Sequence, residues 1–146
     1  MHPEPAPAHR RILLAFDQAR SSTHAATEAI RRAAADRAEL VVLSVLEPHA
    51  LPLPAGSAPR VDQERDRLTS AAQLVVREAR DAGVAATFLI WEGDPAEAIV
   101  EASQAEEADL IVLGSRARTS LRRLILGSVS SEVVRRAICQ VMVVPG

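Results

Sequence analysis

The residues best suited to chemistry lie in one stretch, Val112 to Ser131, which reads VLGSRARTSLRRLILGSVSS. It leaves an apolar run through Gly114, carries Arg116, Arg118, Arg122 and Arg123 with no acidic residue, and reaches Gly127 followed by Ser128 and Ser130. A glycine and a hydroxyl at the start of a helix can hold an anion. The first backbone N–H groups point outward there, and the helix dipole adds about half a positive charge. A phosphate chain suits such a site, held mainly by backbone, with the arginines adding positive potential. The same residues also serve a plainer use, with Gly127 and Ser128 simply capping the last helix, and residue type alone leaves both open. Two phosphate motifs are excluded. All seventeen Lys+Arg residues are arginine, so the lysine of the Walker loop is missing, and the dinucleotide fingerprint GxGxxG is absent.

Few other groups compete. Asp17 follows an apolar run and fits either a ligand contact or a helix cap. His2, His9, His24 and His49 are scattered over the N-terminal segment, the first helix and a proline-rich loop, and none stands at metal-ligand spacing. No Ser-His-Asp or Cys-His set is evident. Cys139 is the single cysteine and has no internal disulfide partner, so a reducing compartment, the cytoplasm, is expected. With only Phe16, Phe88 and Trp91 as aromatics there is no stacking platform for single-stranded nucleic acid, and a net charge of −2 gives no broad attraction to nucleic acid or membrane. No apolar run approaches the roughly 18 residues needed to span a bilayer.

The elements that must position these residues alternate along the 146-residue chain. Residues 1–9, rich in proline, read as a disordered tail ahead of one domain over 10–146. RILLAF (residues 11–16), ELVVLSVL (39–46), VAATFLIW (84–91), DLIVLG (109–114) and QVMVVP (140–145) are buried-strand candidates. Between them lie helical patterns over 22–35, 61–82, 95–107 and 128–137. The first places Ala26, Ala29, Ile30 and Ala33 on one face, and the second Leu68, Ala71, Ala72, Val75 and Ala79. Gly83 is placed to end the second helix, while Asp94 and Pro95 open the third as N-cap and first helical residue. Glu106 and Glu107 read as its solvated end. The proline-rich segment between the second strand and helix is long enough to act as a lid. Such alternation predicts an α/β fold, a doubly wound parallel five-stranded sheet with helices on both faces. Ligands bind such sheets at the carboxyl ends of the strands, where the strand order switches. Gly114 leaves the sheet at that edge.

The chain resembles the universal stress proteins over nearly its whole length, from RILLAFD through GDPAEAIVEASQAEEADLIVLGSR to GSVSSEVVRRAICQVMVVP. Nucleotide-binding members carry G-x2-G-x9-G-[S/T]. Here Gly114 opens the motif, nine residues separate Ala117 from Gly127, and Ser128 closes it, with Ala117 in place of the second glycine. A second departure is Gln18-Ala19 where Gly-Ser is usual. The resemblance implies strand order 3-2-1-4-5 and ATP at the switch point, with Mg²⁺ held through the phosphates. It also implies a homodimer through the C-terminal strand, Val141 to Val144. Asp17 and Val45 match positions on the adenine and ribose side. Leu113, Gly114, Arg116, Ala117, Gly127, Ser128 and Val129 match positions lining the ribose and triphosphate. The function so implied is an adenine-nucleotide-binding module in stress response. A nucleotide-independent dimerisation protein and a slow ATPase using Asp17 are the competing expectations.

Overall fold

Ile12, Leu13 and Leu14 are wholly inaccessible to solvent. Consecutive residues of a strand point to opposite faces, so a strand buried at three successive positions must be covered on both sides. In the computed structural model, which describes residues 8–17, 20–47, 58–115 and 127–146, this strand is the middle of the sheet. The elements run β1 (Arg11–Ala15), α1 (Arg20–Asp36), β2 (Glu39–Leu46), α2 (Ala58–Asp81), β3 (Ala86–Glu92), α3 (Pro95–Ala105), β4 (Leu110–Ser115), α4 (Ser128–Arg136) and β5 (Gln140–Pro145). All neighbouring strands pair in parallel, in the order β3-β2-β1-β4-β5. The expected fold class and strand order are both present.

One face of the sheet, with Ile12, Leu14, Leu40 and Val42, packs against α1 and α2. The buried stripe of α1 is almost all alanine (Ala25, Ala26, Ala29, Ala33), which lets the helix lie close to the strands. From α2 come Leu68, Ala72, Val75, Val76 and Ala79. The other face, with Leu13, Val41, Leu43, Ile111 and Leu113, packs against Ile99 and Ala102 of α3 and Val133 of α4. Trp91 is half-buried against this second cluster. The proline-rich lid segment falls on residues 48–57, outside the described residues.

Helix ends account for the differences from the sequence pattern. Val84 was expected to begin β3, but its N–H closes α2 by donating to the Ala79 carbonyl (2.9 Å), while that of Gly83 donates to Arg80 (2.9 Å). Gly83 turns the chain at φ +82°, so the pair of bonds forms a glycine-centred helix stop and the strand starts at Ala86. The same stop recurs without glycine. Ala38 donates to Ala33 around Arg37 at φ 54°, and Ala108 donates to Ser103 around Glu107 at φ 55°. A side chain at positive φ costs about 1–2 kcal/mol, of which the greater unfolded-state freedom of glycine offsets part. Glu107→Gly is therefore expected to stabilise the protein by about 0.5–1 kcal/mol, read as a rise of a few degrees in Tm.

At the amino ends of the strands, carboxylates organise the start of β1. Asp109 accepts from the N–H groups of Arg10 (2.8 Å) and Arg11 (3.1 Å), and the Arg11 guanidinium pairs with Glu39 and Glu106. His9, assigned to the N-terminal tail by its sequence position, is tied into this edge. Its backbone N–H and ring Nδ1 meet the Asp36 carboxylate at 3.0 and 2.9 Å, and its Nε2 meets Gln140 Oε1 at 2.6 Å. Both contacts are acceptors to which a protonated ring can donate. The Gln140 contact is the main cause lifting the His9 pKa above 6.5, helped by Asp36 and the nearby Asp109 charge and opposed by partial burial. Asp36 is held below 3.8, first by the His9 N–H and then by its ring. The sign follows from linkage: the raised His9 value stabilises fully below its unfolded value and is lost as pH rises through the folded one. The lowered Asp36 value stabilises above its unfolded value and is lost as pH falls through the folded one. His9→Gln is thus expected to lower Tm by roughly 2–4 °C between pH 4 and 6, for about 1 kcal/mol, and by less as pH rises above the folded His9 value. Melting curves of both proteins across pH 4–9 check this.

Candidate functional site

The strand order switches between β1 and β4. Chains leaving those two strands head for opposite faces of the sheet, which leaves a crevice at the carboxyl edge. The crevice here is a cleft of about 380 Å³. Ala15, Phe16 and Asp17 enter it from the end of β1, Leu43, Val45 and Glu47 from β2, and Leu113 and Gly114 from β4. Asp94, Pro95 and Ile99 line it from the start of α3, and Gly127, Ser128, Val129 and Ser130 from the start of α4.

Of the expected site residues, Asp17, Val45, Leu113, Gly114, Gly127, Ser128 and Val129 all line this cleft. Arg116 and Ala117 lie outside the described residues. Glu47, at the carboxyl end of the second strand, and Ser130, in the stretch 127–131, line it as well, while the sequence pattern did not single out Phe16, Ser22 or Ile99 as lining residues. Asp94 was assigned only as a cap, and it is one: its carboxylate accepts from the Glu97 N–H at 3.1 Å. Its placement after β3, at the same edge as Asp17, is the signal that also puts it in the cleft.

Each wall has a local cause. The N-cap of α4 is Gly127, at φ −70° and ψ 172°. Any residue can adopt that conformation, so backbone geometry does not demand glycine; what glycine contributes is an N-cap without a side chain over the first helical N–H groups. The Ser130 hydroxyl donates to the Gly127 carbonyl (3.1 Å), bracing the turn from within. Opposite, the Phe16 N–H donates to the Leu43 carbonyl (2.8 Å) and its carbonyl accepts from the buried Ser44 hydroxyl (2.7 Å). Asp17 is exposed at the cleft mouth and accepts from the hydroxyl of Ser22, a buried residue of the first turn of α1.

The charges are sorted across the cleft. Asp17, Glu47 and Asp94 follow β1, β2 and β3, on one side of the switch point. On the other side stand Gly114 and the N-terminus of α4, with its outward N–H groups and partial positive charge. The floor between them is apolar, from Leu43, Val45, Ile99 and Leu113. This arrangement can take a ligand with a flat apolar part and hydroxyls at one end and an anion at the other. Cys139 is elsewhere, at the amino edge before β5, half-buried, with burial as the main cause raising its thiol pKa.

The comparisons with known proteins follow the same outline. The Universal stress protein family matches residues 8–145. Universal stress protein MJ0531 of Methanocaldococcus jannaschii is 33% identical over 139 residues, which is 93% of this chain and 82% of that protein. The universal stress protein of the QAH/OAS sulfhydrylase 3′ region in Thermus aquaticus is 38% identical over 135 residues, 91% and 96% of the two chains. Among solved structures, UspA from Lactobacillus plantarum superposes with a TM-score of 0.73 at 30% identity, covering 92% of this chain and 97% of that one. A universal stress protein crystallised in complex with cAMP superposes at 0.66 with 26% identity, covering 94% and 97%. Fold and near full-length similarity agree: this chain belongs to the universal stress protein family.

Proposed function

We propose that the chain is a binding module for an adenine nucleotide, ATP with Mg²⁺ held through its phosphates, and that it acts in stress response in the cytoplasm as a homodimer. The observation that carries this reading is the sorted cleft, with Asp17 on one side, the α4 N-terminus and Gly114 on the other, and an apolar floor that includes Val45 between them. Its volume of about 380 Å³ falls within the range of small-molecule sites. The complex of a family member with cAMP supports the adenine class of ligand. In this reading the base and ribose lie toward Val45 and Asp17, and the phosphates lie against the N–H groups at Gly127, Ser128 and Val129, with Leu113, Gly114, Arg116 and Ala117 completing the cradle. Dimerisation is proposed along β5, Val141 to Val144, which ladders only with β4 among the described residues, and the exposed apolar residues Val134 and Ile138 precede that strand in the chain. Antiparallel pairing with a second copy would satisfy that edge.

Thermal shift with ATP, ADP and AMP tests the reading. A ligand present at about a hundred times its Kd adds about 2.7 kcal/mol, a rise of several degrees in Tm. No shift at millimolar ATP would sink it. The alanine in the motif sharpens the test. If position 117 requires positive φ, Ala117→Gly recovers about 1.4 kcal/mol and tightens ATP binding some ten-fold. A variant that binds while the natural protein does not would identify a degenerate, nucleotide-independent member. For the ATPase alternative, single-turnover hydrolysis is expected to be no faster in the natural protein than in Asp17→Ala.

A further inference from the structure

Two serines converge on the residue that the cleft presents at the end of β1. Ser44, 1% exposed, fixes the backbone: its hydroxyl donates to the Phe16 carbonyl while the Phe16 N–H is held by Leu43. With the chain held on both sides of Phe16, the Cα of Asp17 has a set position, and only its side-chain torsions remain to be chosen. Ser22, 4% exposed, acts on those torsions. Its hydroxyl donates to Asp17 Oδ1 and accepts the Asp17 N–H at 3.3 Å. A hydroxyl has one proton, and here that proton is committed to the carboxylate. Ser22 therefore lies beside the cleft but works through Asp17.

We propose that Ser22 is a positioning residue for ligand binding, holding the exposed Asp17 carboxylate in the rotamer that the bound ligand meets. This rests on the nucleotide reading of the same cleft. The reason is pre-organisation. Asp17 is exposed, and an exposed side chain that must be immobilised on binding weakens the complex by the freedom it loses. Ser22 removes that freedom before the ligand arrives, and its own freedom is already restricted by burial in the first turn of α1. The alternative role is only structural, tying α1 to β1. It predicts lost stability in Ser22→Ala but no dependence of the affinity change on Asp17.

The experiment is a double-mutant cycle with ATP as the probe, read by calorimetry on wild type, Ser22→Ala, Asp17→Ala and the double variant, with Ser22→Thr as the conservative replacement. Ser22→Ala is expected to weaken ATP binding about three- to ten-fold. Ser22→Thr should stay within about two-fold of wild type, and Ser22→Ala should add nothing further in the Asp17→Ala background. In ligand-free protein, three-bond couplings should show one Asp17 χ1 rotamer in wild type and Ser22→Thr, and averaging in Ser22→Ala. Equal losses with and without Asp17, or a single Asp17 rotamer retained in Ser22→Ala, would overturn the proposal. If wild type binds no nucleotide, the functional reading fails by itself, and the χ1 couplings still decide whether Ser22 positions Asp17.

Discussion

A parallel sheet has no hairpins, so each strand must be reached by a crossing over one face, and the centre is the strand from which crossings diverge. In this chain that centre is β1, and its three fully buried residues reflect helices on both faces. Much of the rest depends on this constraint. α1 must lie close over the sheet, which is why its inner stripe is alanine. The turns at Arg37, Gly83 and Glu107 must reverse direction within two residues so that the next strand enters in register. The departures of β1 and β4 toward opposite faces leave a place at the carboxyl edge where the backbone itself opens a crevice. The cleft is a consequence of the topology before any side chain lines it.

That dependence explains what could be read from the sequence. Strands such as RILLA and LIVLGS are apolar at nearly every position, and the helical stripes have a period far from theirs, so element type and order were evident. The strand order itself came with the family resemblance, since periodicity does not say which strand neighbours which. Gly83 and Asp94 could be placed because each cap has a chemical signature. Arg37 and Glu107 could not, because the same turn is made there by residues that give no sign of it. Within the cleft, residues adjoining a motif or a strand end were legible, as with Asp17, Gly114 and Gly127. Ser22 and Ile99 were not. A serine or isoleucine inside a helix looks the same whether it faces the sheet, the solvent or a ligand, and only the packing of the helix decides.

His9 shows the opposite failure. A tail of proline and alanine suggests disorder up to the first strand, yet the ring two residues before β1 contacts both α1 and β5. The contacts are to polar groups, so hydrophobic patterning carries no trace of them. They lie at the amino edge of the sheet, with Cys139 and Asp109, and the cleft lies at the carboxyl edge. The two edges divide the work: one closes the strand starts through carboxylates and a histidine, and the other leaves helix N–H groups and the carboxylates of Asp17, Glu47 and Asp94 facing a cleft.

The division within the cleft itself bears on how a ligand would lie. Placing Asp17, Glu47 and Asp94 after β1, β2 and β3 puts negative charge along one half of the crevice, while the other half begins at Gly114 and the α4 N-terminus. A polyanion laid along the β3-β2-β1 half would meet carboxylates at short range in a partly desolvated space, where like charges repel more strongly than in water. Turned the other way, its hydroxyls meet acceptors and its anionic end meets outward N–H groups and a favourable dipole. The cleft therefore discriminates by orientation before any single contact is counted. Among the described residues the positive side is built from backbone, and that contribution does not titrate and does not depend on a flexible side chain. The phosphate end would be held by the helix that the fold already requires, and the selective end by a carboxylate that the fold already fixes.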